Sequence, residues 1–441
     1  MPPLPLSQPG RRAALAAVSL ALAAVVSPTS ARAQGQPSPS TPVTKSADAD
    51  PHMARAVRVL RASPLVDGHN DLPWAIREDS THPRDVAAYD LRKRTRGHTD
   101  IARLRKGMVG AQFWSVYVPG EIRDSGFARV QLEEIDIARQ VIARYPDTFE
   151  LARTAGDVRA IFARGKIASM LGMEGGHAIE NSLGARYMTL THNVTLDWAD
   201  AALDEPKHGG LTEFGKEVVR EMNRLGMLVD LSHVSPGTMS DALDVTEAPV
   251  IFSHSSARAL TDVARNVPDS ILARLPKNGG VVMLSFVPGF VSQAVATYGV
   301  QLQQRAAELR RQYPSDAAAA RRALEAWQRA NPSPRATVKD VADHIEHVRK
   351  VAGVDHVGIG SDFDGITETP EGLPDVSSYP VLFAELSRRG WTDAELRKLA
   401  GENVLRAMRQ AELVSARLRR ERPPSTATIE QLDGKRPTTS Q

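Results

Sequence analysis

The chain has 441 residues, 42% of them hydrophobic and 24% charged, a balance that supports a large folded core. It contains no cysteine, which excludes disulfides, thiol catalysis, cysteine-based metal sites and a lipidated N-terminal cysteine. The formal charge is +3, and residues 1–33 hold three arginines and no acid, so the rest of the chain is neutral overall and nucleic acid is not an expected partner.

Residues 1–33 read as an export signal peptide. Arg11 and Arg12 precede an apolar run of 14 residues, Ala13 to Val26, and Ala31-Arg32-Ala33 is a small-x-small cleavage site, so a mature chain would begin at Gln34. The competing reading is an N-terminal membrane anchor, for which the run is short. The arginine pair alone does not separate twin-arginine export from the general route. The expectation is an exported protein, periplasmic or secreted, with no stable membrane anchor after signal removal. Residues 34–50, rich in Pro, Ser, Thr and Gln, read as a disordered linker, residues 51–420 as one barrel domain, and residues 421–441 as a disordered polar tail.

Within 51–420, eight short apolar runs suit strands buried on both faces. They are Leu65-Val66 with its neighbours, Val109 to Val118, Ile167 to Met173, Tyr187 to Leu190, Met227 to Leu231, Pro249 to Phe252, Gly280 to Phe286 and Val357 to Gly360. Helical spacing falls between many of them. Val130 to Ala143 is one such stretch, Asp157 to Ala163 stops at Gly165, and Thr212 to Leu225 stops at Gly226. Ser235-Pro236 and Pro268-Asp269 are helix starts, Val338 to Val351 is amphipathic, and Thr392 to Glu395 is a capping box that opens a last helix to about Arg419. Strands alternating with helices predict an α/β fold, a (β/α)8 TIM-type barrel with extra helices. The Ala-, Arg- and Gln-rich segment Gln301 to Ala330 supplies extra helices of no evident catalytic role.

Active sites of such barrels lie at the C-terminal strand ends. The first candidate strand ends in Asp67-Gly68-His69-Asn70-Asp71, where His69 and Asp71 are two apart and face one side if the strand continues. The third ends at Glu174, the fourth at Thr191-His192-Asn193, the fifth at Ser232-His233, the sixth at Ser253-His254 and the eighth at Ser361-Asp362-Phe363-Asp364. Each is weak alone, since a lone His-x-Asp is more often structural. Together they form a His/Asp/Glu/His/His set suited to two divalent metals sharing a carboxylate. Asp364 reads as a turn residue, His177 as a cap of a short helix, and His344 and His347 as packing or solvent-facing residues.

These six motifs, through Gly358-Ile359-Gly360-Ser361-Asp362-Phe363-Asp364-Gly365, resemble the membrane (renal) dipeptidase family of zinc metallopeptidases over about residues 55–410. The resemblance implies two Zn2+ per chain, with His69 and Asp71 binding one, His233 and His254 the other, and Glu174 bridging them. It implies that His192 contacts substrate and the developing oxyanion, that Arg265 holds the free carboxylate of a dipeptide, and that Asp362 handles protons. A hydroxide shared by the metals would attack the peptide carbonyl of substrates that include dipeptides with a D-residue at the C-terminal side. It further implies β-lactam ring opening and a homodimer. Mammalian members carry cysteines and a lipid anchor, and this chain has neither, which puts the family's anchoring in doubt here. The stretch Val194 to Trp198, beside His192, governs side-chain preference in this reading. Two alternatives stay open: another barrel amidohydrolase acting on N-acyl-amino acids, β-lactams or lactones, and a non-catalytic binding protein.

Overall fold

The apolar runs are strands, and they close on themselves. The fold is that of a computed structural model in which residues 50–120, 126–176 and 185–434 are described; residues 1–49, which include the signal-like segment and nearly all of the expected linker, lie outside them, as does His177. The strands are β1 (Leu65–Asn70), β2 (Val109–Tyr117), β3 (Phe149–Leu151), β4 (Ile167–Glu174), β5 (Ala185–Thr189), β6 (Leu228–Asp230), β7 (Ile251–Ser255), β8 (Val281–Leu284) and β9 (Val357–Ile359). All pairings are parallel, in the order β2-β1-β9-β8-β7-β6-β5-β4, and β2 pairs with β4 from Ala111↔Ala168 to Tyr117↔Glu174. That last pairing closes an eight-stranded barrel surrounded by helices, the (β/α)8 architecture that the alternation predicts. The ninth strand, β3, is an addition absent from the sequence expectation. It pairs only with the first part of β4, Ile167 to Ser169, and β5 takes the remainder. Three residues carry too short a pattern to be recognised in advance.

Strand alternation sorts the core into two shells. On β2, Phe113 joins the interior cluster with Met170, Tyr187, Leu228, Ile251 and Met283, while Trp114 joins the outer cluster packed against the helices. The interior cluster continues into Val404, Leu405 and Met408 of the last helix. Moving two residues along each strand changes the chemistry. Tyr187, Leu228 and Ile251 give way to Thr189, Asp230 and Ser253, and Phe113 and Gly172 to Ser115 and Glu174. The barrel therefore has an apolar floor, a polar tier above it, and the candidate site on top.

Helices form where spacing and caps place them. The expected stretches are found as Phe127–Arg144, Ala155–Ala163, Glu213–Leu225 and Val338–Ala352, and Gly226 ends the third with φ 76°, a left-handed conformation that favours glycine. The insertion consists of Gln293–Gln312 and Ala317–Ala330, joined by stacked Tyr298 and Trp327 rings 5.7 Å apart. The last helix is not continuous. Asp393–Arg397 leads into a π-helical turn at Lys398–Glu402 and then Asn403–Glu421. A side chain at Gly401 would meet Pro64 O at 2.5 Å, so the wider turn lies where the backbone approaches β1 closely. The expected disordered tail also differs: Ile429–Asp433 is a helix with a Thr428–Gln431 capping box, and Asp433 accepts from Phe214 N at 3.1 Å. One apolar anchor, Ile429, packed against the core, offsets the polar composition. Among the described residues, no helix is long and apolar enough to cross a membrane.

Candidate active site and metal centre

Four side chains from the ends of β1, β6 and β7 gather around Glu174 at the end of β4. His69 is the fifth residue of β1. Asp71 lies beyond the strand, as the N-cap of the helix Leu72–Arg77 with φ −93° and ψ 27°. Simple alternation therefore does not place Asp71; the turn into that helix does. His69 Nε2 lies 3.3 Å from Asp71 Oδ2 and 3.3 Å from Glu174 Oε2. The other oxygen, Oε1, lies 3.0 Å from His233 Nε2 and 3.5 Å from His254 Nε2. These last two nitrogens are 2.9 Å apart. All five residues are buried.

Each imidazole is oriented by its other nitrogen. Tyr187 OH is 3.2 Å from Gly68 O, to which it donates, and 3.0 Å from His69 Nδ1, from which it accepts. His233 Nδ1 faces Asn193 Oδ1 at 3.0 Å, and His254 Nδ1 faces Ser253 Oγ at 2.9 Å. With the proton on Nδ1 in each ring, three Nε2 lone pairs point at Glu174. Gly172 makes room for this arrangement, since a Cβ there would sit 2.0 Å from Tyr187 Cζ. Ser115 Oγ donates to Glu174 Oε2 at 3.2 Å.

The donor set fits a cation. Three imidazole nitrogens and two carboxylates are the mixture that divalent metals such as zinc accept, and His69 Nε2 is buried with no hydrogen-bond partner. Burial, then Arg265 and His192, holds His233 well below the usual histidine range. Burial, then His69 and Arg265, does the same to His254, so both rings are neutral and able to ligate. Burial opposes charge on His69 too, but Tyr187, Asp71 and Glu174 outweigh it and raise it well above its ordinary value. The field that favours a proton there equally favours a metal ion. Burial would raise Glu174, but His69 and His233 outweigh it and hold the carboxylate well below the usual range. Three overlapping triads have ligand atoms within 4.8 Å of one another: His69–Glu174–His254, Glu174–His192–His233 and His69–Asp71–Asp362. Their union contains all five expected ligands.

The three other candidates ring this centre. His192 Nε2 is 4.0 Å from Glu174 Oε1, a step farther than His233, and its ring meets the edge of Tyr117. Asp362 adopts φ 69° and His233 φ 67°, left-handed conformations uncommon for non-glycine residues and held here also by Arg84, Met108 and Asp364. Burial raises the Asp362 carboxyl well above the usual range. Arg265 is buried; its guanidinium donates to Ser255 Oγ and His254 O, each at 3.4 Å, and lies over the Phe290 ring. No carboxylate among the described residues pairs with it within 4.0 Å.

The remaining candidates are structural. Asp364 turns away from the centre, and its Oδ1 accepts from His98 N at 2.6 Å. His344 is buried, accepting from Ala257 N at 3.0 Å, and His347 pairs with Asp269 at 2.8 Å. Asp67, inside the first motif, is not a ligand. It braces β1 to β9 by accepting from Ser361 N (2.8 Å), Ser361 Oγ (2.7 Å) and Tyr379 OH (2.5 Å). Sequence reasoning missed Tyr187, Asn193, Ser253, Asp230 and Ser115, which support the ligands. Their only signal in the sequence is a polar residue inside an otherwise apolar strand, or next to a ligand.

The profile of the membrane dipeptidase family (peptidase family M19) matches residues 53–422, most of the chain. The chain belongs to this family. The dipeptidase is thus a metallo-dipeptidase, a hydrolase acting on peptide bonds. It is similar to several solved structures. The probable dipeptidase PvdM from Pseudomonas aeruginosa is 23% identical with a TM-score of 0.69, over 82% of this chain and 99% of that one. A metallo peptidase from Rhodobacter sphaeroides, liganded with a phosphinate mimic of the dipeptide L-Ala-D-Ala, is 26% identical with a TM-score of 0.63, over 79% and 99%. A metallo peptidase described as dipeptidase AC is 26% identical with a TM-score of 0.62, over 79% and 98%.

Proposed function

We propose that the dipeptidase is a two-zinc enzyme that cleaves dipeptides, including those with a D-residue at the C-terminal side. The observation that carries this reading is Glu174, whose Oε2 faces His69 and whose Oε1 faces His233 and His254. His69 and Asp71 would hold one ion, His233 and His254 the other, and Glu174 would bridge them. When bound, the pair would supply Lewis-acid polarisation of the peptide carbonyl and a water activated at neutral pH.

The chain's own residues do the rest. Arg265 grips the free carboxylate of the dipeptide, for which a buried guanidinium with no carboxylate partner among the described residues is suited. His192 donates to the oxyanion that develops as the carbonyl becomes tetrahedral. Asp362 takes a proton from the attacking water and returns it to the departing amine, a task that a carboxyl with a raised pKa can perform in both directions. The relative from Rhodobacter sphaeroides supports the substrate class, because a phosphinate presents a tetrahedral centre in place of the planar peptide. Export to the periplasm or medium, from the signal-like residues 1–33, is part of the same proposal.

The test is a panel of L,L and L,D dipeptides assayed with and without a chelator. Chelator-sensitive hydrolysis, restored by zinc and including L,D members, is the expected result. No chelator-sensitive hydrolysis across the panel would count against the reading, and hydrolysis of N-acyl-amino acids or lactones instead would favour another barrel amidohydrolase.

A further inference from the structure

The three imidazoles are not supported alike. His69 leads through Tyr187 to a backbone carbonyl, Gly68 O, and His233 leads to a neutral amide oxygen, Asn193 Oδ1. His254 leads to a charge. Its Nδ1 is 2.9 Å from Ser253 Oγ, and Ser253 Oγ is 2.6 Å from Asp230 Oδ2. Ser253 has one hydroxyl proton and two nearby oxygens to receive it, Asp230 Oδ2 and Ser232 Oγ at 3.5 Å. The proton goes to the carboxylate. The Ser253 oxygen must then accept from His254 Nδ1–H, which leaves the His254 Nε2 lone pair facing Glu174 and His233.

Asp230 is fully buried in the polar tier between the apolar floor and the ligands. It accepts from Thr189 Oγ1 at 2.5 Å, Ser232 N at 3.1 Å, Ser253 N at 2.8 Å and the Ser253 hydroxyl. Four donors satisfy the buried Asp230 carboxylate at the barrel centre. Three of them would be enough to tie β5, β6 and β7 together. The fourth is the one that extends the charge to His254. A carboxylate behind a ligating histidine fixes its tautomer and raises its basicity as a ligand. Arg265, which donates to His254 O, acts in the opposite sense on the same ring.

We infer that Asp230 is a positioning residue that acts through Ser253 to make the His233–His254 position the tighter of two metal positions. This rests on the two-zinc reading above. The test is a stepwise zinc titration of chelator-treated protein, comparing the wild type with Asp230→Asn and Ser253→Ala. The expected result is two steps in the wild type and, in both variants, a loss of about 10- to 100-fold in the tighter step with the other within about threefold. In an Asp71→Ala background, which removes a ligand of the other position, Asp230→Asn should weaken the step that remains. Loss confined to one step is what a merely structural role would not produce, because general loosening of the barrel weakens both. Should Asp230→Asn fail to fold, Ser253→Ala, which leaves Asp230 its three other donors, is read in its place. Two wild-type steps that are unchanged, or equally weakened, in the folded variants would overturn this inference alone. A wild type that takes up fewer than two zinc ions would overturn the two-zinc reading beneath it.

Discussion

Arg265→Met should make the free enzyme more stable and a far poorer dipeptidase. The guanidinium is 2% exposed, its two hydrogen bonds are both 3.4 Å long, and burial pulls its pKa from 12.5 down to about 10. A depression of that size corresponds to roughly 3 kcal/mol of penalty for keeping the charge in the folded state. The sign follows from linkage. The unfolded chain holds this proton more tightly, so the penalty is complete at any pH below the folded pKa and relaxes only above it. Methionine is unbranched and apolar though two atoms shorter, and it removes the charge while filling most of the space of the arginine stem, so a net gain of about 1–3 kcal/mol is expected after imperfect packing is deducted. That is a rise of about 1–3 °C in melting temperature for the chelator-treated protein. Activity should move the other way. Losing a charge-assisted contact to the substrate carboxylate removes about 3 kcal/mol of binding, or about 100-fold in kcat/KM. C-terminally amidated dipeptides, which lack the carboxylate and should be poor substrates of the wild type, should lose little further. Thermal unfolding and a two-substrate kinetic comparison read both effects. A variant that melts lower, or one that turns over free dipeptides at the wild-type rate, would refute the reasoning.

Other perturbations separate the parts of the site. Asp71→Ala should lower bound zinc from two ions to about one while leaving the far-ultraviolet circular dichroism unchanged, because Asp71 lies past the end of β1 rather than within the barrel ladder. Gly172→Ala places a Cβ 2.0 Å from Tyr187 Cζ and should displace the ring that orients His69. It should therefore match Tyr187→Phe in weakening zinc about 10-fold, and add about 1–3 kcal/mol of destabilisation from overpacking. If Gly172→Ala alone leaves zinc binding intact, Tyr187 does not orient His69. His344, buried and held down to about 4 from 6.5, should make stability fall as pH drops below the unfolded value. The folded ring refuses the proton that the unfolded chain accepts, so the loss reaches roughly 3 kcal/mol by pH 4. His344→Gln should flatten that part of the pH profile measured by denaturant unfolding.

Much of the barrel was legible because its strands are buried on both faces and therefore appear as uninterrupted apolar runs between helix patterns. The candidate ligands were legible for a related reason. A histidine or acid at the end of an apolar run has few structural uses, and several such ends in chain order constrain one another. What could not be read depends on contacts between distant segments. Asp67 belongs to the same motif as His69, yet its carboxylate turns to Ser361 and Tyr379, 294 and 312 residues away along the chain. Tyr187 reads as one more buried aromatic until Gly172 is seen to yield it space below His69. Asp230 and Ser253 read as strand residues, and only the closed barrel brings them into a line that ends at His254. The tail helix was missed because composition outweighed a local cap and a single apolar anchor. The break in the final helix was missed because it arises where Gly401 meets Pro64 O, a contact that local propensity does not encode.

In the proposed site one carboxylate, Glu174, joins two metal positions into one catalytic unit. The most direct measurement is hydrolysis of a dipeptide during titration of metal-free protein with zinc. Activity that saturates at two zinc ions per chain is the predicted result. Saturation at a single ion, or no gain in hydrolysis as zinc is added, would contradict it.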